Sequence, residues 1–332
     1  MSTKTLRPVA ITGTGKYVPE KVLTNADLQK IVDTSDEWIT ERTGIKERRI
    51  AADNEATSDL AVHAARAALE NAGVAAADLD LIIVATFTPD MFFPSTACFV
   101  QKALGASKAT CFDVSAACSG FLYCLDIARN YIATGAAENI LVIGADKVSG
   151  VIDWSDRNTC VLFGDGAGAA VLQPAKEGGG EILSVYSGSN GSLDEILNVP
   201  AGGSRLPLTA ANVDSRLNTM KMAGREVYRH AVTTMMSAAK EAIGRAGLTV
   251  DDIECFIPHQ ANLRIIETIA DKLHVPMERF FVNLTEYGNT SAAAVAIALD
   301  EAQRSGRIKH GDHILMVVFG GGLTWASAVV RW

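Results

Sequence analysis

The chain has 332 residues, of which 48% are hydrophobic and 20% are charged, and it contains 28 glycines but only 9 prolines. This composition is typical of a globular protein and excludes a disordered or collagen-like chain. The 30 basic and 38 acidic residues give a formal net charge of −8 at pH 7, and no segment is rich in Lys and Arg. We therefore expect no nucleic acid and no membrane among its partners.

Hydropathy and cysteine spacing restrict the cellular setting. No apolar run approaches the roughly 20 residues that a membrane span requires, and the segment from Met1 to Pro8 leads into a short strand-like run, not the apolar core of a secretion signal. The six cysteines form no C-x-x-C pair and no His-flanked metal pattern. We expect a cytoplasmic protein with reduced thiols, five of them inert, and no metal.

The first half of the chain is predicted to alternate helices and strands. Residues 57–72 place apolar side chains at helical spacing and end before Gly73, a residue typical of helix C-caps. Residues 81–86 form an uninterrupted apolar run, which is typical of a strand buried on both faces. A strand, a helix of about 15 residues and another strand are predicted next, at 110–114, from Ser119 and at 140–143.

The second half resembles the first at a constant separation. AARAALENAGVAAADLDLIIVA (64–85) matches AAKEAIGRAGLTVDDIECFIPH (238–259), which lies 174 positions later, and blocks near residues 125 and 140 align at the same offset. An offset that persists over three blocks indicates an internal duplication. We therefore predict two halves, residues 1–174 and 175–332.

The later elements complete the predicted architecture. A strand at 255–257, a helix at 291–304 and a strand at 314–319 repeat the order of the first half. Strands that alternate with helices indicate parallel sheets with helices on their faces. The helices from Ser119 and Ser291 are nearly all small or apolar, as expected for helices buried on every side. We predict an α/β fold in five layers, αβαβα, with these two helices in the middle.

Cys118 stands where the two repeats differ in chemistry. The offset of 174 places it opposite Ala292, each at the start of a buried helix. A thiol at a helix N-terminus has a lowered pKa, because the unpaired N–H groups favour the thiolate. Cys118 is therefore a candidate nucleophile, although a buried, inert cysteine fits the same pattern.

Three further positions fall at strand ends or helix starts. His259 ends a predicted strand, where α/β proteins bind ligands, but a structural histidine would fit there too. Asn289 precedes the second buried helix and could be a simple cap. Gly320–Gly322 either form a tight hairpin or let the backbone direct an N–H at a developing oxyanion.

Four blocks of the sequence together resemble a known family. DVSAACSGFLY, PHQANLRI, YGNTSAAAVAIALDEA and VVFGGGLTWASAVVRW resemble the signature blocks of β-ketoacyl-acyl carrier protein (ACP) synthase III, in the thiolase superfamily. The resemblance extends from about residue 9 to Trp332. It implies a thiolase-like duplicated fold and the condensing enzyme that initiates type II fatty acid synthesis.

The resemblance also implies the catalytic roles. Cys118 would take an acyl group from acyl-CoA, with the oxyanion held by the backbone N–H groups of Cys118 and Gly321. His259 and Asn289 would then stabilise the enolate that forms as malonyl-ACP loses carbon dioxide. The carbanion would attack the acyl-Cys and give a β-ketoacyl-ACP. Acyl-CoA and malonyl-ACP are substrates in this reaction, and we expect no cofactor.

The family's acyl-CoA contacts map onto five residues. Trp38 and Arg157 correspond to the pair that sandwiches the adenine of CoA, and Arg42 lies close to the nucleotide phosphates. Asn262 corresponds to a pantetheine contact, and Phe163 is expected to line the catalytic tunnel.

The family's protein partners map onto other residues. The family is a homodimer, and Phe93 corresponds to the residue that one subunit inserts into the acyl pocket of the other. ACP is acidic, so an acidic chain needs a local basic patch. Arg264 corresponds to a contact for ACP, and Arg225 and Arg229 share one face of a predicted helix at i,i+4 spacing.

Two other functions are compatible with the same residues. A specialised relative could use the Cys-His-Asn set for polyketide, quinolone or acyl-transfer chemistry. A non-catalytic scaffold subunit of a synthase is a different class, and an unreactive Cys118 would support it. A thiolase fits less well, because thiolases need a second catalytic cysteine and neither the Asn289 block nor the glycine turn carries one.

Overall fold

A computed structural model describes residues 6–332. The expectation about the N-terminal segment concerns in part residues 1–5, which lie outside the described residues. In chain order, the strands are β1 (Val9–Tyr17), β2 (Lys21–Thr24), β3 (Glu47–Ile50), β4 (Leu81–Ala85), β5 (Thr110–Val114), β6 (Ile140–Asp146), β7 (Gly166–Pro174), β8 (Glu181–Ser189), β9 (Leu197–Asn198), β10 (Lys221–Met222), β11 (Cys255–Pro258), β12 (His313–Gly320) and β13 (Thr324–Arg331). The helices are α1 (Asn25–Leu28), α2 (Asp36–Thr43), α3 (Thr57–Ala72), α4 (Thr96–Leu104), α5 (Gly120–Ala133), α6 (Arg157–Cys160), α7 (Gly224–Arg245), α8 (Leu263–Leu273), α9 (Leu284–Tyr287) and α10 (Ala294–Arg304).

The predicted elements are confirmed, with differences at their ends. Helix α3 has the predicted bounds and ends at Gly73 in the left-handed conformation, with a φ of 65°. Strand β6 runs three residues further than predicted, because its last residues pair with the start of β7. The two central helices begin later than predicted, since a 3-10 turn precedes each of them, Ala117–Ser119 before α5 and Ser291–Ala293 before α10.

The two main sheets are mixed, so the prediction of parallel sheets is only partly right. The first has the order β1-β7-β6-β4-β5, in which β4 runs parallel to β5 and β6 while β7 is antiparallel to both its neighbours. The second has the order β11-β12-β13-β8, in which only the β11–β12 pair is parallel. Strands joined without a long crossover helix pair antiparallel, and a tight turn joins β12 to β13.

The five-layer prediction is confirmed. Helices α3 and α4 cover the outer face of the first sheet, and α7 covers the outer face of the second, with α8 packed against α7. Helices α5 and α10 lie between the two sheets, where their apolar side chains form the central core. Glycine brings α10 close to the first sheet: a Cβ on Gly168 of β7 would lie 2.5 Å from the Cβ of Ala296.

Two insertions extend beyond these layers and form the walls of a cavity. Residues 18–56 contain the antiparallel strand pair β2–β3 with α1 and α2 between the strands, and residues 190–223 contain the small sheet β9–β10. Arg48 fixes the first insertion from inside: its buried guanidinium donates to Leu23 O, Asn25 Oδ1 and Val161 O. Among the described residues, no helix has both the length and the apolar character needed to cross a membrane.

Candidate active site

A cavity of about 1080 Å³ lies between the ends of the two sheets and the two insertions. Three of the predicted residues, Cys118, His259 and Asn289, line it and are 7%, 5% and 6% exposed. We call these three the floor. Other predicted residues line the cavity where it meets solvent; we call them the mouth, and they are Trp38, Arg42, Arg225, Asn262 and Arg264. Phe163 also lines the cavity and is buried.

Cys118 lies in the 3-10 turn between β5 and α5, and the end of β12 packs directly against it. A Cβ on Gly320 would lie 2.7 Å from the backbone nitrogen of Cys118, so only glycine allows this approach. Gly321 and Gly322 form the turn of the β12–β13 hairpin and line the same cavity. The three glycines therefore include a tight hairpin turn, and that turn lies beside the Cys118 backbone.

The expected lowering of the Cys118 pKa is not found. Burial raises the pKa of this thiol to about 12, opposed by a hydrogen bond with Ser291 and assisted by the negative charge of Asp146. The largest cause is desolvation, because the thiol has almost no contact with water. Burial therefore disfavours the thiolate form of Cys118 in the free protein.

His259 follows β11 directly, and the sheet continues to hold its backbone. Its N–H donates to Val317 O at 2.8 Å, so the ring projects from the end of the sheet into the cavity. Burial lowers its pKa to about 4, which keeps the imidazole neutral at physiological pH. Within residues 6–332 the buried Nδ1 atom has no hydrogen-bond partner.

Asn289 is fixed by hydrogen bonds to both its backbone and its side chain. Its N–H donates to Leu162 O at 2.8 Å, and its carbonyl accepts from Gly164 N at 3.1 Å. Its side-chain Oδ1 accepts from Ser291 N at 2.9 Å. Because the amide oxygen is thereby occupied, the amide nitrogen is the group left to donate to a ligand.

The mouth carries an aromatic ring flanked by cations. Trp38, in α2, has the Arg42 guanidinium 4.8 Å and the Arg157 guanidinium 5.1 Å from its ring centre. An adenine ring could enter between Trp38 and Arg157 only after that guanidinium moves away. Asn262 caps α8 and donates a hydrogen bond to Arg42 O at 3.1 Å. The residue expected to contact pantetheine is therefore held next to a residue expected to bind the nucleotide of CoA.

Three predicted residues lie outside the cavity lining. Arg157 contacts Trp38 from one side, and Arg229 is exposed on α7, one turn beyond Arg225. Phe93 is 86% exposed, and Phe92 beside it is 90% exposed, on the loop before α4. Within one chain, Phe93 therefore does not reach the acyl pocket.

Sequence reasoning missed two polar residues beside the nucleophile. The Cys118 Sγ donates to Ser291 Oγ at 3.7 Å. The buried Asp146 carboxylate, at the end of β6, accepts from Thr86 Oγ1 at 2.9 Å and from Ala292 N at 3.2 Å. The sequence does contain a signal for Ser291. The offset of 174 aligns it with Ala117, so a hydroxyl in the second repeat stands where the first repeat has a methyl group.

The described part of the chain contains no group of three or more His, Cys, Asp and Glu side chains placed to hold a metal ion. The six cysteines are free thiols. The chemistry available on the floor is therefore a buried thiol, a neutral imidazole and an amide, with backbone N–H groups close to the thiol.

Comparison with known proteins agrees with this arrangement. The model of the 3-oxoacyl-[acyl-carrier-protein] synthase III family matches residues 112–191, and the model of its C-terminal region matches residues 243–332. A β-ketoacyl-[acyl-carrier-protein] synthase III from Caldanaerobacter subterraneus is 58% identical over 97% of both chains.

Solved structures show the same similarity. The 3-oxoacyl-[acyl-carrier-protein] synthase III from Aquifex aeolicus superposes with a TM-score of 0.90 at 49% identity, over 98% of this chain and 100% of that one. The priming β-ketosynthase of the R1128 polyketide pathway superposes with a TM-score of 0.91 at 39% identity, over 99% and 98%. The chain therefore belongs to the β-ketoacyl-[acyl-carrier-protein] synthase III family, and it is a condensing acyltransferase of fatty acid biosynthesis with the thiolase-like fold.

Proposed function

We propose that the chain condenses a short acyl group from acyl-CoA with malonyl-ACP, releases carbon dioxide and gives a β-ketoacyl-ACP, the initiating step of type II fatty acid synthesis. One observation carries this proposal. A thiol, a neutral imidazole and an amide donor, all buried, share the floor of one cavity whose mouth carries an aromatic ring and cationic side chains. This set suits a thioester substrate that has a nucleotide at its far end.

In the first half-reaction, Cys118 attacks the thioester carbonyl of acyl-CoA. The new S–C bond forms first, and the negative charge of the tetrahedral intermediate rests on the carbonyl oxygen. The C–S bond to CoA then breaks, and the proton lost by the Cys118 thiol ends on the CoA sulfur. The backbone N–H groups of Cys118 and Gly321 would hold that oxygen. The tight contact of Gly320 with the Cys118 backbone supports this role, because it brings the glycine turn beside the reacting atom.

In the second half-reaction, His259 and Asn289 bind the thioester carbonyl of malonyl-ACP. Decarboxylation leaves an enolate, whose oxygen accepts from the neutral imidazole and from the amide nitrogen of Asn289. Each such donor stabilises the transition state by about 3 kcal/mol. The low pKa of His259, about 4, suits a neutral donor and argues against a proton-carrying base. The enolate carbon then attacks the acyl-Cys118 carbonyl, the S–C bond to Cys118 breaks, and the thiolate that leaves takes up a proton from solvent.

The mouth is proposed to recognise the carriers of both substrates. Trp38 and Arg157 would stack on the adenine, with Arg42 near the phosphates and Asn262 on the pantetheine. ACP would dock on a patch formed by Arg225, Arg229 and Arg264, which are all exposed. The hydrogen bond between Tyr228 Oη and Thr268 Oγ1, at 2.7 Å, joins α7 to α8 and so holds the two parts of this patch together.

We further propose that the protein is a cytoplasmic homodimer that needs no separate cofactor. Each chain would consist of two halves, residues 1–174 and residues 175–332. The strands of the first sheet fall within residues 9–174 and those of the second within 181–331, which supports the division. Strand β5 is an edge strand of the first sheet, and Phe92 and Phe93 extend into solvent nearby. An exposed edge strand and an apolar loop tip are both features that a second subunit would cover.

The experiment that tests the function is intact-mass measurement after mixing the protein with acyl-CoAs of graded length and branching. We expect one acyl adduct, which peptide mapping locates on Cys118, and a β-ketoacyl-ACP after malonyl-ACP is added. No adduct with any primer would overturn the proposal in favour of a scaffold subunit. An adduct that malonyl-ACP does not consume would favour a specialised relative with another acceptor.

A further inference from the structure

The two proposed enolate donors lie on separate segments of the second repeat. His259 stands at the end of β11, where its N–H donates to Val317 O at 2.8 Å. Asn289 follows α9 and Gly288. Both would donate to one oxygen, and catalytic groups of this kind must be held to within about 0.5 Å of their working positions. Some feature of the structure must therefore set the spacing of the two segments.

The His259 ring depends on its backbone for this. Within residues 6–332, its Nδ1 atom is buried without a hydrogen-bond partner, so no such bond at Nδ1 fixes the direction of the ring. Strand β11 ends at Pro258, and the chain turns away from β12 directly after His259. The course of the chain at this turn therefore decides where the ring points.

The side chain of Gln260 closes the turn from inside the protein. It is 1% exposed. Its amide nitrogen donates to Pro258 O at 2.8 Å, which links the residues on either side of His259. The same nitrogen donates to Phe281 O at 3.0 Å, on the segment that leads to Asn289.

The amide oxygen of Gln260 holds the next part of that segment. It accepts from Asn283 N at 3.0 Å and from Leu284 N at 3.3 Å. Leu284 is the first residue of α9, and Asn289 lies five positions later. Both amide hydrogens and both lone pairs of the oxygen are thereby used. One side chain thus joins the backbone around His259 to the backbone before Asn289.

Backbone pairing between the two segments stops short of the site. Phe281 N donates to Phe256 O at 2.8 Å, and Phe256 forms an isolated bridge with Phe280. Beyond this point the Gln260 amide takes the place of a peptide group between the segments. Asn289 itself is held toward the first repeat by residues 162 and 164, so Gln260 supplies the link in the direction of His259.

We propose that Gln260 is a positioning residue for the second half-reaction, holding His259 and Asn289 at the spacing at which both donate to one enolate oxygen. This inference rests on the proposed function of those two residues. Gln260 lies behind the residues that line the cavity, so it acts through the backbone and touches no substrate. The end of β12 packs against Cys118 instead, so acylation should not depend on Gln260.

The test is Gln260→Met, which keeps an unbranched side chain of similar volume but removes the amide. Condensation by enzyme acylated beforehand should be about 10²-fold slower, because donors displaced by about 1 Å lose that much. The loss should be in kcat with little change in KM for malonyl-ACP, since these donors act mainly on the transition state. Acylation of Cys118, followed by rapid-quench intact mass on the same preparation, should be unchanged.

Gln101→Met is the matched control. Gln101 lies on α4, outside the cavity lining, and its amide nitrogen donates to Ala109 O at 2.7 Å. The same substitution there also removes a hydrogen bond from a side chain to a backbone carbonyl. We expect both half-reactions to keep their wild-type rates.

Gln260→Glu tests the hydrogen bonds with almost no change of shape, and it decides the matter if the methionine variant does not fold. One carboxyl oxygen can still accept from the two backbone N–H groups, whereas the other faces the carbonyls of Pro258 and Phe281. A neutral acid donates to one of these carbonyls, but an ionised acid repels both. Burial and the Glu301 carboxylate, which accepts from Asn283 Nδ2 at 2.7 Å, favour the neutral form.

Condensation by pre-acylated Gln260→Glu should therefore be close to wild type at pH 5 and fall below it by at least about tenfold by pH 8, as the carboxyl loses its proton and the donors move apart. The imidazole of His259, with a pKa lowered to about 4, stays neutral over this range and does not contribute to the decline. Circular dichroism at each pH shows whether the variant is folded.

Three results would overturn the inference: condensation by Gln260→Met at the wild-type rate, equal loss in both of its half-reactions, or a ratio of Gln260→Glu to wild type that does not change with pH. Failure of the wild-type protein to condense at all is a separate result, and it would overturn the proposed function itself.

Discussion

The floor and the mouth of the cavity differ in burial, charge and the way they are built. Cys118, His259 and Asn289 on the floor are 7%, 5% and 6% exposed, whereas the side chains of Arg157 and Arg264 near the mouth are 45% and 49% exposed. The floor residues follow or precede elements of the duplicated core, and backbone hydrogen bonds fix them. The mouth is formed by α2 of the first insertion and by the N-terminal ends of α7 and α8, and a side-chain hydrogen bond from Asn262 to Arg42 joins α8 to that insertion.

This difference separates chemistry from recognition. A buried donor in a fixed position mainly stabilises the charge that develops in the transition state. Its loss therefore lowers the rate of the chemical step. An exposed cation interacts with the bound substrate and with the transition state alike, so its loss raises KM. Substitutions on the floor should therefore lower kcat in one half-reaction, and those at the mouth should weaken the use of one substrate.

The largest expected effect is that of Cys118→Ser. A hydroxyl in this site is a far weaker nucleophile than a thiol, so we expect acylation to fall by at least about 10³-fold. Decarboxylation of malonyl-ACP should persist, because His259 and Asn289 remain. Rapid-quench mass spectrometry measures the first rate and carbon dioxide release the second. Cys98→Ala, which changes a half-buried thiol outside the cavity, should leave both rates unchanged. Acylation that continues in Cys118→Ser would show that Cys118 is not the nucleophile.

His259→Ala should give the opposite pattern. Losing one donor to the enolate oxygen costs about 10²–10³-fold in decarboxylation and condensation, while acylation of Cys118 should continue, since the thiol donates to Ser291 and not to the imidazole. The two half-reactions are measured separately on the same preparation. His310→Ala, at an exposed position, serves as the control. Equal loss in both half-reactions would mean that the imidazole also activates the thiol.

The floor could be predicted from the sequence more completely than the contacts of the mouth. The helix at residues 57–72, the strand at 110–114 and the positions of all three floor residues could be predicted, because regular core elements have periodic patterns and the duplication repeats them. The mixed direction of the strands could not be predicted: β13 runs antiparallel because a tight turn joins it to β12, but the 19-residue connection before β7 would also allow a parallel strand. The pKa of Cys118 could not either, because burial by distant segments decides it.

Ser291 marks another limit of sequence reasoning. The offset of 174 marks it as a difference from Ala117, but the run of small and apolar residues that it begins predicts only a buried helix. Only the fold places it against Cys118, a residue 173 positions away. The contacts of the mouth have the same origin: Asn262 reaches Arg42 through a hydrogen bond between an insertion and α8.

Arg264→Glu should lower activity less than either floor substitution, and it should affect the use of only one of the two substrates. It replaces a cation in the proposed ACP patch by an anion, so we expect KM for malonyl-ACP to rise about tenfold by electrostatic repulsion, with little change in acylation by acyl-CoA. Arg245→Glu makes the same charge change at the other end of α7, about 30 Å from Arg225, and should have no effect on KM. An equal loss with both substrates would place Arg264 in the CoA site, where Arg42 already lies.

The smallest expected effect is that of acid on condensation, and it tests the floor alone. His259 donates to the enolate as a neutral imidazole, and its pKa is lowered to about 4, so the active form predominates above that pH and is lost as the pH falls through it. Condensation by pre-acylated enzyme should therefore stay level from pH 8 to pH 5 and halve near pH 4. Pre-acylation removes the Cys118 thiol from the titration, and circular dichroism at each pH shows whether the protein is still folded. A decline already near pH 6.5 would mean that His259 has an ordinary pKa. The floor would then be open to water, as the mouth is.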